Sequence, residues 1–523
     1  MPASLSIMLK VELLPVLILL LSNAAMAAPP AVAANGIANA ASHIPSTLPG
    51  GSLARGARFL LDGVRFGRAP VVTIQSAQPV RATIITATAT RIEARIPPDA
   101  PLGPARLTVT SQNETSDAYP ITIVDANPGL YSRNQRGWGP GAIDNLNPRQ
   151  PNSATHPVRP GQSIVLRATG FAASAPVIIG NVATRVQSVR RNVQPGVDEL
   201  TVAIPAGAPE GCFVPVRLSG PRHSSNTVTL AISSIGACTP STAFPMPQWK
   251  PGNSAVVLLA RSLTKGLDES TYSTVDELLG AFFQLRSSES LSSPFLYALP
   301  LGSCVLATAP IPEGATQSPL WFLLGSPGAG IDAGPAIAVN NPRFQRKVPP
   351  VPGATGLYRS TLAGNTTPRI ANRPVPLLLD PPGPIQVRGF GGASVPQFTV
   401  TLNATSPIER IPGNVIHSTQ ESLNLEWRTP NSQRLVLVAA SAVSSTSATA
   451  VCLCVEKASK GSFTMPKDLL AHIPLSRQTP GQPPGHITLI SWPEKLEYPI
   501  NAAGLTNGEA ISISAAQSAV LFR

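Results

Sequence analysis

Short runs of β-branched and other apolar residues, mostly bounded by Gly, Pro or Asn, recur along the chain. Ser163–Ala168, Ala175–Ile179, Glu199–Ile204 and Thr227–Ile232 follow one another at regular intervals. Spacing of this kind predicts an antiparallel sandwich. Further strands are predicted over Ala255–Ala260, Val395–Leu402, Leu423–Trp427, Arg434–Ala439, Ala448–Val455, Gly485–Trp492 and Ser518–Phe522. Alternation in Leu423–Trp427 makes Trp427 a core anchor. One stretch breaks the pattern. Ser273–Arg286 carries a capping residue, acids in its first turn, and apolar residues at Val275, Leu278, Leu279, Phe282 and Phe283. That spacing predicts a single short helix covering a sheet face.

Two segments on either side of a polar link are built alike. Arg95–Gly103 reads RIPPDAPLG and Ala203–Gly211 reads AIPAGAPEG, so the Ile-Pro pair recurs at an offset of 108 residues. Upstream, ARFLLDGVRF (57–66) faces QSIVLRATGF (162–171), with Gly63 against Gly170 at an offset of 107. Two anchors at nearly one offset indicate internal duplication. In each corner proline ends a strand because it has no N–H for the ladder, and glycine supplies the turn.

The second copy resembles a known family. Pro-Gly-x-x-x-x-Leu-x-Ala-Thr-Gly-Phe (160–171), Ile-Gly (179–180), Ile-Pro-x-x-x-Pro-x-Gly-Cys-Phe-Val-Pro-Val (204–216) and Ser-Asn-Thr-Val-Thr (225–229) resemble an IPT/TIG-type immunoglobulin-like domain. More narrowly, they resemble a duplicated β-domain of uncharacterised exported acidobacterial proteins. The likeness continues through Asp-Ala-Gly-Pro (332–335), the glycine hairpin 383–392 and Phe-Thr-x-Pro (463–466). It implies fold and export, and brings no catalytic residues. Cysteines recur in that family at the places of Cys212 and Cys238, which implies a disulfide closing a loop of about 25 residues. The first copy has Pro104 near the place of Cys212 and lacks this staple. Of the remaining cysteines, Cys452 and Cys454 are badly placed to bond each other, and Cys304 can pair with either.

Composition agrees with an all-β chain of tandem immunoglobulin-like sandwiches and a β-rich C-terminal half. Charged residues are 13% of the 523, with 57 Pro and 41 Gly. The expected organisation is a signal peptide (1–27), a disordered leader (28–45), two immunoglobulin-like domains (46–126 and 127–238) and a linker (239–252). A β-rich domain (253–404) and a final β-sandwich (405–523) complete it. The signal rests on Lys10, the apolar run Leu13–Leu21 and a small-x-small cleavage site, Ala25-Met-Ala27, before Ala28. No later run is long and apolar enough for a membrane helix. The net charge is +12, with the densest clusters at 185–191 and 343–347. The first has no aromatic and the second only Phe344, so neither forms a stacking platform for nucleic acid, and a solvated basic surface is expected.

Catalytic patterns are missing. No HExxH, GxSxG or phosphate loop occurs among the motifs, and no metal or cofactor is expected. Asp332 and Asp380 are expected as turn or cap residues; with Glu426 they are the carboxylates that a glycosidase pair would need. Asp144, Asn145 and Asn147 in the link offer oxygen ligands without a calcium-loop spacing. The expectation is a non-enzymatic secreted or cell-surface protein in adhesion, envelope scaffolding or glycan contact. Its partner is a glycan or an envelope protein, not nucleic acid, and the oligomeric state stays open. The alternatives are an extracytoplasmic polysaccharide-acting enzyme with a catalytic C-terminal half, and a purely structural partner of another envelope protein.

Overall fold

The computed structural model describes residues 28–172, 175–220, 223–238, 249–268, 271–287, 297–310, 329–365, 369–370, 377–380, 384–477 and 480–523. The predicted signal peptide and most of the predicted linker lie outside these residues. The described residues are almost entirely β.

The first two units repeat one topology. In the first, Arg58–Val64 lies between Ala31–Asn39 and Arg91–Arg95, while Gly103–Ser111 lies between Val71–Gln75 and Tyr119–Val124. In the second, Ser163–Thr169 lies between Ile143–Leu146 and Val197–Ala203, while Gly211–Leu218 lies between Val177–Ile179 and Val228–Ile232. Hydrogen bonds fix the equivalence. Ile96 donates to Ala57 and accepts from Gly56; Ile204 donates to Gln162 and accepts from Gly161. Gly56 and Gly161 have φ of 68° and 82°, a turn conformation that suits glycine. The offset is 105 residues at these glycines and 108 at the isoleucines, so the second copy carries three extra residues between them.

The leader expected to be disordered over 28–45 is corrected by this arrangement. Ala31–Asn39 is a strand paired with Arg58–Val64. It was hidden because its register shifts between Val32 and Ile37, around Asn35 at φ 58°. That irregularity destroys the period-two signal while Val32 and Ile37 both stay buried.

The C-terminal half is organised by one large sheet. Its strands run in the order Cys304–Pro310, Ala448–Lys457, Arg434–Val443, Gly485–Pro493, Leu505–Phe522, Gly252–Lys265, Thr271–Leu285 and Leu357–Gly364. The sheet therefore runs across residue 405. Every long strand buries both faces. Val256, Leu258, Leu279, Phe283, Leu437, Leu453, Ile490 and Ile513 point to one side. Val257, Leu259, Leu278 and Phe282 point to the other, as do Val436, Val438, Cys452 and Leu489. The first side is covered by the second sandwich through Cys212 and Phe213, and by Trp249 and Tyr297. The second side is covered by two small sheets. One contains Glu409–Arg410, Leu423–Arg428 and Ser462–Met465; the other contains Gln345–Val348, Ile337–Asn340, Ile385–Gly389 and Phe398–Leu402. The chain crosses between them over the large sheet. There Ser512 Oγ accepts from the Thr405 N–H (3.0 Å) and Ser514 Oγ from the Ile408 N–H (3.1 Å). Trp427 is buried as an anchor, donating Nε1–H to Ala458 (3.0 Å).

The predicted helix at 273–286 is wrong. Thr271–Leu285 is a strand paired along its length with Gly252–Lys265. A strand apolar on both faces also satisfies the i, i+3, i+4, i+7 spacing, so the period cannot separate the two. The supposed first-turn acids are cross-strand partners. Asp276 sits opposite Arg261 and is fully buried. It accepts from Arg261 Nε (2.8 Å) and Nη2 (3.0 Å) and from the Leu379 N–H (2.7 Å). The helical turn expected after Phe-Thr-x-Pro is present as Lys467–Leu470.

That turn closes a junction between all three parts. Arg217 of the second sandwich pairs with Asp468 at 2.6 Å. His472 Nε2 lies 2.9 Å from the Ser224 carbonyl oxygen, and its ring packs against His223. Gly50 of the first sandwich is packed so closely on His472 that a Cβ there would meet the ring at 2.6 Å.

Two expectations follow. Asp276→Ala strands half of Arg261's buried charge and should cost about 3–5 kcal/mol of unfolding free energy in a denaturant titration. Asp380→Ala, which removes the exposed partner of Arg261, should cost about 1 kcal/mol or less. The second concerns pH. Burial, reinforced by His223 nearby, lowers His472 from 6.5 to about 4. Between these values the unfolded chain binds a proton that the folded chain refuses, so stability falls as pH drops through the window and levels off below it. The full contribution is roughly 3 kcal/mol. Thermal melts of wild type and His472→Gln from pH 7.5 to 4 should show a shallower acid slope in the variant; parallel slopes would refute the assignment.

Candidate functional site

The residues expected to matter from sequence fall in separate places. Cys212 and Cys238 form a disulfide at the edge of the second sandwich, with Cα atoms 5.5 Å apart. Ala28 is the first described residue, and Ala27 lies outside. Cys304 pairs with Cys454 across neighbouring strands, and Cys452 is a buried free thiol. Asp332 closes a turn: its oxygens accept from the Ala393 and Gly334 N–H groups, which hold it below the usual carboxylate range. Asp380 pairs with Arg261 at 2.7 Å. Glu426 lines a groove of about 350 Å³ with Arg410, Asn414, His417 and Glu421. The three carboxylates thus occupy three settings, and the pair that glycoside hydrolysis needs is not assembled from them. Asp144 pairs with Arg167 at 2.7 Å, and Asn145 bonds His156 and Asn152. Among the described residues no group of three or more His, Cys, Asp or Glu side chains is placed to hold a metal ion. Nor is any helix there long and apolar enough to cross a membrane.

The two basic clusters behave differently. In the first, Arg190 pairs with Glu199 at 3.0 Å and Arg191 with Asp198 at 2.6 Å. Arg149 and Arg167 extend the same lattice through Glu199 and Asp144. These four arginines share three carboxylates, Asp144, Asp198 and Glu199.

The second cluster feeds the outer face of a small sheet, where Ala338 itself is covered by its neighbours. In the small sheet containing Ile337–Asn340, Ile337 and Val339 enter the core, so Ala338 and Asn340 take the outer side. The register then defines two cross-strand rows. One is Lys347, Ala338, Arg388 and Thr399; the other is Gln345, Asn340, Gln386 and Thr401. Gln345, Lys347, Gln386, Thr399 and Thr401 are all exposed. Phe390 continues the outward alternation of Gln386 and Arg388 beyond the strand. Lys347 Nζ lies 5.2 Å and Arg388 Cζ 5.4 Å from the centroid of its ring. With the Gln397 amide oxygen turned towards Arg388, it accepts from Nη2 (2.9 Å) and Nε (3.2 Å), fixing the guanidinium by a neutral partner. Among the described residues no carboxylate forms an ion pair with Lys347 or Arg388. Asn340 Oδ1, between Gln345 and Gln386 in its row, is closed off from solvent and unpartnered.

The face therefore offers amides, hydroxyls and an aromatic ring flanked by two cations. Sequence reasoning placed Arg343–Lys347 among its basic clusters but missed Arg388, Phe390 and Gln397. The period-two signal in 386, 388 and 390 was present within the glycine hairpin. What no local pattern gives is the pairing through Ala338 that sets Lys347 and Arg388 in one row.

No protein-family model matches the chain, and comparison with curated proteins finds no match. Among solved structures, one similar in part is SGBP-B of the Bacteroides ovatus mixed-linkage glucan utilization locus, in complex with a mixed-linkage heptasaccharide. It is 12% identical over 39% of this chain, with a TM-score of 0.20. The alignment spans 46% of that protein's length. SGBP-B from a xyloglucan utilization locus in Bacteroides uniformis is also 12% identical, over 64% of this chain and 85% of that one, with a TM-score of 0.17. Domains 5–6 of the S-layer protein SbsC are 10% identical over 39% of this chain and 99% of that one, with a TM-score of 0.20. Likenesses at these scores carry no functional argument; the reading below rests on the geometry of the face.

Proposed function

We propose that this is a non-enzymatic, extracytoplasmic β-sandwich protein that contacts glycan through the outer face formed by Gln345–Val348, Ile337–Asn340, Ile385–Gly389 and Phe398–Leu402. The observation that carries the reading is the make-up of that face: exposed Gln345, Gln386, Thr399 and Thr401 beside Phe390 and its two cations. Sugars present hydroxyls that exchange hydrogen bonds with amides and hydroxyls, and such contacts fix orientation at modest desolvation cost. Two disulfides support an oxidising compartment, where such bonds persist. The duplicated sandwiches, which we read as immunoglobulin-like units of IPT/TIG type, serve as the arm that carries and braces the binding half. Adhesion or envelope scaffolding is the cellular role that such a surface would serve.

The test is binding of purified Ala28–Arg523 to an array of glycans and cell-wall polymers at two salt concentrations. The expected result is saturable, sugar-selective binding that survives moderate salt and weakens about tenfold in Phe390→Ala, a change of about 1.4 kcal/mol. Binding to no glycan, or equal binding by Phe390→Ala, would contradict the reading.

A further inference from the structure

We infer that the outer face selects acidic polysaccharide, specifically chains bearing carboxylates such as uronates, over neutral glycan. The inference rests on the glycan reading above and adds the ligand's charge class. Its basis is the contrast between two basic regions of one molecule. Arg149, Arg167, Arg190 and Arg191 have all been given carboxylates by the fold. Among the described residues Lys347 and Arg388 have been given none, although they are brought to within 5.2 and 5.4 Å of one ring centroid. Two like charges gathered there repel each other, and the ring quadrupole offsets only part of that repulsion. An anion bound beside them offsets it. Arg388 is ready for such a guest. With its amide oxygen turned towards Arg388, Gln397 accepts from Nε and Nη2 and leaves Nη1 for a guest.

The surroundings argue for a sugar chain as the bearer of that anion. The neighbouring row is Gln345, Asn340, Gln386 and Thr401, all neutral hydrogen-bonding groups, of which Gln345, Gln386 and Thr401 are exposed. A polyhydroxylated chain with periodic carboxylates matches both rows at once. A nucleic acid matches them less well, because the face holds a single aromatic, Phe390, and no series of rings for successive bases. The overall charge of +12 draws in any polyanion, so selectivity must come from this face and not from net charge.

The experiment compares polygalacturonate with its fully methyl-esterified form, which keeps the sugar backbone and removes the charge. Dextran sulfate and duplex DNA serve as polyanions of other kinds. Wild-type Ala28–Arg523 is measured beside Lys347→Gln/Arg388→Gln and beside Arg81→Gln/Arg106→Gln. The second double variant makes the same change in net charge at exposed arginines of the first sandwich. We expect polygalacturonate to bind at least tenfold more tightly than the ester. The face variant should lose at least tenfold, and the control variant should stay within twofold of wild type. Equal binding of the ester would overturn the inference while leaving the glycan reading in place. Failure of both polymers and of every neutral glycan would overturn both. Dextran sulfate or DNA binding as tightly as polygalacturonate, with equal losses in the two double variants, would reduce the effect to net charge and overturn the inference. The ester comparison uses only the wild-type protein and does not depend on any variant folding.

Discussion

The large sheet of the C-terminal half is buried on both faces, and the rest of the molecule follows from that constraint. A strand with no solvent side must be apolar at every position or bring a partner for each polar group it carries. Arg261 and Asp276 sit opposite each other in register. Ser512 and Ser514 satisfy the segment that crosses above them. Two covers are then required. On one side the second sandwich contributes Cys212 and Phe213 directly to the core, so it is fused to the sheet as well as tethered to it. On the other side two small sheets share the work, and each keeps one face in the core. The outer face of one of them is the proposed glycan-binding face.

Much of this architecture was legible in the sequence. The duplication was readable because its corners are chemically specific: Ile-Pro followed by a second Pro and a Gly recurs where hydrogen bonds from Ile96 and Ile204 close equivalent loops. Strands with one wet face, such as Leu423–Arg428, announced themselves by alternation. The failures share a physical cause. Thr271–Leu285 lost its alternation because both faces are dry, and its acids resembled helix-start signals although they serve the neighbouring strand. Ala31–Asn39 lost its alternation to a register shift. The recognition face was the least legible part, because Lys347 and Arg388 become neighbours only through a third strand between them. A cluster read along the chain, such as Arg190-Arg191, overstates charge when the next strand supplies Asp198 and Glu199.

The same comparison links fold to function. Four arginines of the second sandwich share three carboxylates, whereas among the described residues Lys347 and Arg388 of the small sheet pair with none. Under the proposed reading the cations around Phe390, which have no carboxylate partner among the described residues, form a place for a charge from outside. A rigid, two-sided core beneath them keeps that place preformed, which lowers the ordering cost of binding.

The most direct measurement is hydrogen–deuterium exchange of Ala28–Arg523 with and without saturating polygalacturonate. The account predicts added protection confined to 337–348 and 385–402, with the large sheet protected equally in both states. Protection appearing instead along the 410–426 groove, or nowhere, would contradict it.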